Sequence, residues 1–200
     1  MIQRIEVKSN SNIPNFIGAW MLDDKDLCDN LVNFFDANPE DHGVGTTEGG
    51  VDENKKKTID MSIKPKLLKE DKYKIFNFYI KNLLNCFNDY KEQWPFLKSF
   101  SGMEIGTFNL QKYDAGGHFS AIHTERDCAA NMHRVLAFMT YLNDVEESGE
   151  TSFHYYKINV KPQKGKTIIW PAEWTHAHSG GVVKKGSKYI VTGWIQFSGK

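Results

Sequence analysis

The chain has 200 residues, with 25 Lys plus Arg against 25 Asp plus Glu, which by length is one medium domain and by charge exerts no global pull on nucleic acid or anionic lipid. The N-terminal Met1-Ile2-Gln3-Arg4-Ile5-Glu6 lacks a basic segment followed by an apolar run, and no stretch approaches the roughly 18 apolar residues of a membrane span. Cys28, Cys86 and Cys128 are odd in number and widely spaced, which suits reduced thiols better than a disulfide framework, so the expected compartment is the cytoplasm.

From Asp23 to Asn38, Leu27, Leu31, Phe34 and Phe35 recur at helical spacing behind Asp23 and Asp24 as caps, predicting a helix with one buried face. Next comes His42-Gly43-Val44-Gly45-Thr46-Thr47-Glu48-Gly49-Gly50, then Val51-Asp52-Glu53-Asn54 and three lysines, all poor in core-forming residues. This composition predicts a mobile loop over 42–58, either a solvated connector or an active-site lid. Between Pro65 and about Tyr90, Leu68, Tyr73, Phe76, Ile80, Leu84 and Phe87 form one apolar stripe with lysines opposite, predicting the longest helix, ended before Pro95. After Gly102 the pattern changes to short β-branched and aromatic runs separated by turn residues such as Ala115-Gly116-Gly117 and Lys185-Gly186-Ser187. Strands are expected over 105–113, 119–123, 134–142, 152–160, 167–170 and 188–197. Short strands at this spacing favour a β-sandwich or jelly roll, with both helices on the outer face of one sheet. The expectation is a single α+β domain, with helical support over about 1–100 and a β core over about 101–200.

Two motifs stand out within the β half. In His123-Thr124-Glu125, residues 123 and 125 share one face of a strand and can grip an ion together. Trp174-Thr175-His176-Ala177-His178 offers a further ligand from a distant strand, through His176 or His178. Imidazole and carboxylate donors without thiolate suit Fe(II), Mn(II) or Zn(II) in an open site better than a structural zinc knot. Lys188 begins an apolar strand, where a cation is costly unless an anion meets it.

The order of these pieces resembles the 2-oxoglutarate and Fe(II)-dependent dioxygenase superfamily, in particular its prolyl 4-hydroxylase-like branch. The resemblance runs from about Gly106 to Ile195. It comprises Tyr113-Asp114-Ala115-Gly116, His123-Thr124-Glu125, Arg134 leading into Thr140-Tyr141-Leu142-Asn143-Asp144-Val145, and Gly149-Glu150-Thr151-Ser152-Phe153. Pro162-Gln163-Lys164-Gly165, His178 and Gly186-Ser187-Lys188-Tyr189 running to Trp194 complete it. The resemblance implies a double-stranded β-helix (a cupin-like jelly roll) with N-terminal helices packed on one sheet. It further implies iron ligands at His123, Glu125 and His178, the distal carboxylate of 2-oxoglutarate at Lys188, and Tyr113 and Thr151 lining the cosubstrate pocket. Fe(II), 2-oxoglutarate and O2, with ascorbate as a candidate reductant, are the implied cofactors, and a peptidyl proline or a small molecule the implied substrate. Glu125 departs from the family's commoner Asp by one methylene. Arg134 is expected either to support Glu125 or a substrate carboxylate, or to serve in a structural salt bridge. The alternatives are another cupin-like metalloenzyme using His176 as a fourth ligand, and a catalytically silent binding domain.

Overall fold

A computed structural model describes residues 2–7, 14–47 and 49–199. In chain order the elements are β1 (Ile2–Ile5), β2 (Gly18–Leu22), α1 (Lys25–Asp36), β3 (Gly43–Val44), β4 (Lys56–Lys57), β5 (Ile59–Ile63), α2 (Lys74–Gln93), β6 (Met103–Tyr113) and β7 (His118–His123). There follow β8 (Arg134–Tyr141), β9 (Thr151–Phe153), β10 (Ile158–Val160), β11 (Lys166–Pro171), β12 (His178–Gly180) and β13 (Lys188–Phe197). One sheet runs β1-β2-β11-β8-β13-β6-β5-β3 and the other β10-β9-β12-β7-β4. The pairings are antiparallel, and the two sheets form the expected jelly roll.

The helices cover the outer face of the larger sheet. Asp24, one of the two expected caps, caps α1 by accepting from the Leu27 amide at 2.9 Å. The expected helix from Pro65 is shorter. Pro65–Lys69 and Asp71–Tyr73 form 3-10 turns separated by Glu70 in an extended conformation, which breaks the α-helical ladder before Lys74. On α2 the buried face includes Phe76, Tyr79, Leu83, Cys86, Phe87 and Tyr90, whereas Leu84 is exposed. Of the adjacent Leu83 and Leu84 only the first faces the sheet, and composition does not say which one does.

Residues 1–100 supply more than helical support. β2 pairs with β11 and β5 with β6, so both extend the larger sheet. The segment expected as a loop over 42–58 contains β3, which joins the larger sheet, and β4, which joins the smaller one; Glu48 within it lies outside the described residues. The single strand expected over 152–160 is a hairpin of β9 and β10, because Lys157 turns the chain with a φ of 53°. Tyr155 and Tyr156 give that turn a strand-like composition.

Strand β13 separates two interiors. Val191 and Ile195 pack in the helix-side core with Phe76, Tyr79, Phe108 and Phe138, while Ile190 faces the core between the sheets with Tyr113, Phe153 and Trp170. This alternation puts Lys188, Ile190, Thr192 and Trp194 on the wall of one cavity.

Candidate metal centre

His178 opens β12 directly opposite His123, the last residue of β7. The two imidazole centroids are 4.3 Å apart. Glu125 Oε1 lies 3.2 Å from His178 Nε2 and 4.0 Å from His123 Nε2, and one donor atom from each of the three residues falls within 4.8 Å of the others. Each imidazole is oriented from behind: His123 Nδ1 donates to the Ala121 carbonyl and His178 Nδ1 to the His176 carbonyl, both at 2.9 Å. That arrangement turns both Nε2 atoms toward Glu125, the tautomer a metal ligand needs. Phe119 stacks on His123 at 3.7 Å and fixes the plane of its ring.

Glu125 shares the site with His123, but not as its neighbour on a strand, because β7 ends at His123. Its backbone is held instead by Arg134 Nη1, which donates to the Glu125 carbonyl at 2.9 Å, and by Thr124 Oγ1, which donates to the Ala172 carbonyl at 2.8 Å. Its side chain receives the Trp194 indole N–H on Oε2 at 2.7 Å. Burial opposes the Glu125 anion, yet His178, His123 and the indole outweigh it and bring the carboxyl down to about 2. Burial, with His178 close by, lowers His123 to about 4. At neutral pH the pair is therefore a carboxylate and a neutral imidazole, the protonation states in which both bind metal. Two nitrogens and one oxygen converging from one side, with no thiolate among them, fit a facial two-histidine, one-carboxylate metal site.

His176 is absent from this cluster. It lies in a 3-10 turn before β12, buried, with Nε2 donating to the Asn15 carbonyl at 2.8 Å and Nδ1 3.0 Å from Thr175 Oγ1. The two histidines therefore do not share a face, and the four-ligand alternative loses its fourth donor.

Lys188 is 3% exposed. Its Nζ donates to the Gly149 carbonyl at 2.9 Å and sits 4.3 Å from the centroid of the Tyr113 ring. Burial drops its pKa to about 8, with only Glu150 acting in the opposite direction. Thr151 Oγ1 lies 2.6 Å from the Tyr141 hydroxyl, and Tyr113 donates to Gln111 at 2.8 Å. Lys188, Tyr113, Thr151 and the His–Glu–His group all line one cavity of about 840 Å³. The 42–58 segment reaches it through His42 and Lys56, and Asp127, Cys128 and Asn131 line it as well.

Sequence reasoning missed a polar group on this wall. Lys56, 5% exposed, pairs with Asp60 at 2.7 Å, and Gln111 donates to the same carboxylate oxygen at 3.0 Å. Lys56 is the middle of three consecutive lysines, and nothing local distinguishes it from its neighbours. Only its pairing with Phe119 across β4 and β7 turns it inward.

The family described as the 2OG-Fe(II) oxygenase superfamily matches residues 108–196. The match covers 89 of the 200 residues, from within β6 to within β13. A probable prolyl 4-hydroxylase of Arabidopsis thaliana is 28% identical over 116 residues, which cover 45% of this chain and 40% of that protein. A PKHD-type hydroxylase of Prochlorococcus marinus is also 28% identical, over 106 residues covering 51% and 47% of the two chains. The chain thus matches less than half the length of these relatives. Among solved structures, the viral collagen prolyl hydroxylase of Paramecium bursaria Chlorella virus-1, as its 2OG complex, aligns with a TM-score of 0.64 at 20% identity, covering 98% and 96% of the chains. A Trichoplax adhaerens prolyl hydroxylase in complex with a hypoxia inducible factor peptide aligns at 0.68 with 12% identity, covering 91% and 84%. These similarities establish the fold. Among the described residues no helix is long and apolar enough to cross a membrane.

Proposed function

We propose that this chain is a 2-oxoglutarate- and Fe(II)-dependent dioxygenase that hydroxylates an unactivated C–H bond, with a peptidyl proline as the leading substrate. The observation that carries this reading is the convergence of His123, Glu125 and His178 within 4.8 Å on the wall of the cavity that Lys188 also lines. In this reading the three residues hold Fe(II), and Lys188 meets the distal carboxylate of 2-oxoglutarate. A buried ammonium with a backbone carbonyl as its hydrogen-bond acceptor is costly, and an incoming carboxylate offsets that cost. Tyr113 and Thr151 shape the space between. The metal and cosubstrate supply the redox chemistry, turning 2-oxoglutarate and O2 into succinate, CO2 and a hydroxylated product.

The protein's own task is then order and position. The Nδ1 bonds of both histidines fix which nitrogen is offered, and Phe119 against His123 limits ring rotation. The aromatic wall around the site, with Trp194 and Phe119, displaces water from the reacting centre. The proline assignment rests on the prolyl hydroxylases among the relatives and on the peptide held by the Trichoplax enzyme. A cavity of this size open beside the ligands accommodates a side chain presented by a peptide.

Anaerobic titration of the Fe(II) protein with 2-oxoglutarate tests the reading. A weak visible metal-to-ligand charge-transfer band is expected, followed by succinate release when O2 and a proline-containing peptide are added. Folded, iron-loaded protein that gives no band contradicts the cosubstrate assignment; a band without peptide-dependent succinate release contradicts the substrate.

A further inference from the structure

The H-x-E motif places its carboxylate outside the β7 ladder, so no strand hydrogen bond sets where Glu125 points. Glutamate also has one more rotatable side-chain bond than aspartate, and a free carboxylate at that reach samples several positions. One hydrogen bond removes this freedom here. Trp194 Nε1 donates to Glu125 Oε2 at 2.7 Å, leaving Oε1 as the oxygen 3.2 Å from His178 Nε2.

The indole is itself built into place. The pairing of β13 with β6 shifts between Gly193 and Ile195, where β6 carries the extra residue; β13 keeps its alternation there and so brings Trp194 to the cavity face. A Cβ at position 193 would lie 2.6 Å from Phe108 Cβ and 2.8 Å from Phe138 Cζ, so only glycine lets β13 approach closely enough. On the other face of the indole the Arg134 guanidinium stacks 3.6 Å from the ring centroid, while its Nη1 donates to the Glu125 carbonyl. Arg134 thus bridges the backbone of Glu125 and the ring that holds its side chain.

We propose that Trp194 is the positioning residue that adapts this site to a glutamate: its N–H claims Oε2, so that Oε1 alone is presented beside the two imidazoles. The proposal rests on the reading of Glu125 as a metal ligand. It makes the longer side chain and the indole one unit. An aspartate at 125, about one C–C bond or roughly 1.5 Å shorter, would withdraw from the indole and bind metal without its help.

Mn(II) affinity of the full chain, read by the electron paramagnetic resonance of free Mn(II), tests this with wild type, Trp194→Phe, Glu125→Asp and the double variant. Trp194→Phe keeps a ring and loses the donor; it should weaken Mn(II) binding by about 10–100-fold, the usual cost of losing such a supporting bond. Glu125→Asp should retain binding, and adding Trp194→Phe to it should cost no further affinity. Wild-type affinity in Trp194→Phe overturns the proposal, and equal weakening in both backgrounds reduces Trp194 to general packing. A wild-type chain that binds no Mn(II), or binds it as well after His178→Ala, refutes the ligand reading itself. A second measurement needs no change at 194. The indole N–H proton of Trp194 should resonate downfield in the wild type and move upfield in Glu125→Asp; an unmoved resonance overturns the proposal.

Discussion

The two faces of the larger sheet solve opposite problems with the same strands. On the helix side, Phe76, Tyr79, Phe108, Phe138, Val191 and Ile195 are nearly dry, and the buried Tyr79 hydroxyl has its partner in Thr140 Oγ1 at 2.9 Å. On the cavity side the same strands carry Lys188, Tyr113, Gln111 and Trp194, a charge and several polar groups held in low dielectric. The first face pairs its buried hydroxyl internally. The second spends stability on groups that become fully useful only when a ligand arrives, the usual mark of a functional wall.

That contrast can be broken from either side. The largest effect is expected on the helix side: Phe76→Ala, at a fully buried ring packed against Phe34 and Phe108, should cost about 3–5 kcal/mol in denaturant unfolding. Metal bound per folded molecule should not change. On the cavity side, Lys188→Met keeps the apolar stem and removes the charge. It should weaken 2-oxoglutarate binding by about 10–100-fold, the value of a hydrogen bond to a charged group, with Fe(II) retained and the melting temperature equal or higher. Equal 2-oxoglutarate affinity in the variant would erase the distinction between the faces.

A gentler probe is pH. Burial holds Lys188 at about 8 instead of its ordinary 10.5, so the free protein carries the ammonium below that value and loses it above. Dicarboxylate affinity should then be flat below about pH 8 and fall by up to about tenfold per unit above it, because binding must take up a proton. Calorimetry in buffers of different ionisation enthalpy measures that uptake directly. The same depressed pKa acts on folding with its own sign: the unfolded chain binds the proton more readily between 8 and 10.5, so this residue's penalty on stability is full below pH 8 and relieved as pH rises. The smallest effect is expected at His176→Ala, which gives up the bond to the Asn15 carbonyl for about 1 kcal/mol of stability while leaving metal affinity at the wild-type level.

Much of the candidate centre was legible because its signal is local. His123-Thr124-Glu125 and the separation of His178 from Lys188 appear in the chain as spacing, and the resemblance then selected His178 over His176. The same short-range logic found α1, most of β6, β8 and β13, and the stop before Pro95. What it missed depends on partners far away in sequence. β2 and β5 are ordinary five-residue segments in a half dominated by helical periodicity, and their pairing with the distant β11 and the later β6 builds them into the larger sheet. Lys56 is buried because β4 meets β7, and Trp194 meets Glu125 across 69 positions of sequence. Glu70, which interrupts the expected long helix, is a good helix former overruled by the turns on either side.

The alternation along β13 has a genetic corollary. Lys188 and Trp194 stand six positions apart on one strand, so both reach the cavity only while their separation stays even. Deleting or inserting a single residue within 189–193 would carry one of them to the helix face and strand it among phenylalanines. Length changes in the exposed turn at Lys184–Lys185 leave that parity untouched. The site therefore tolerates indels just before β13 and none inside it, a reading-frame rule imposed by the pleat of a β-strand.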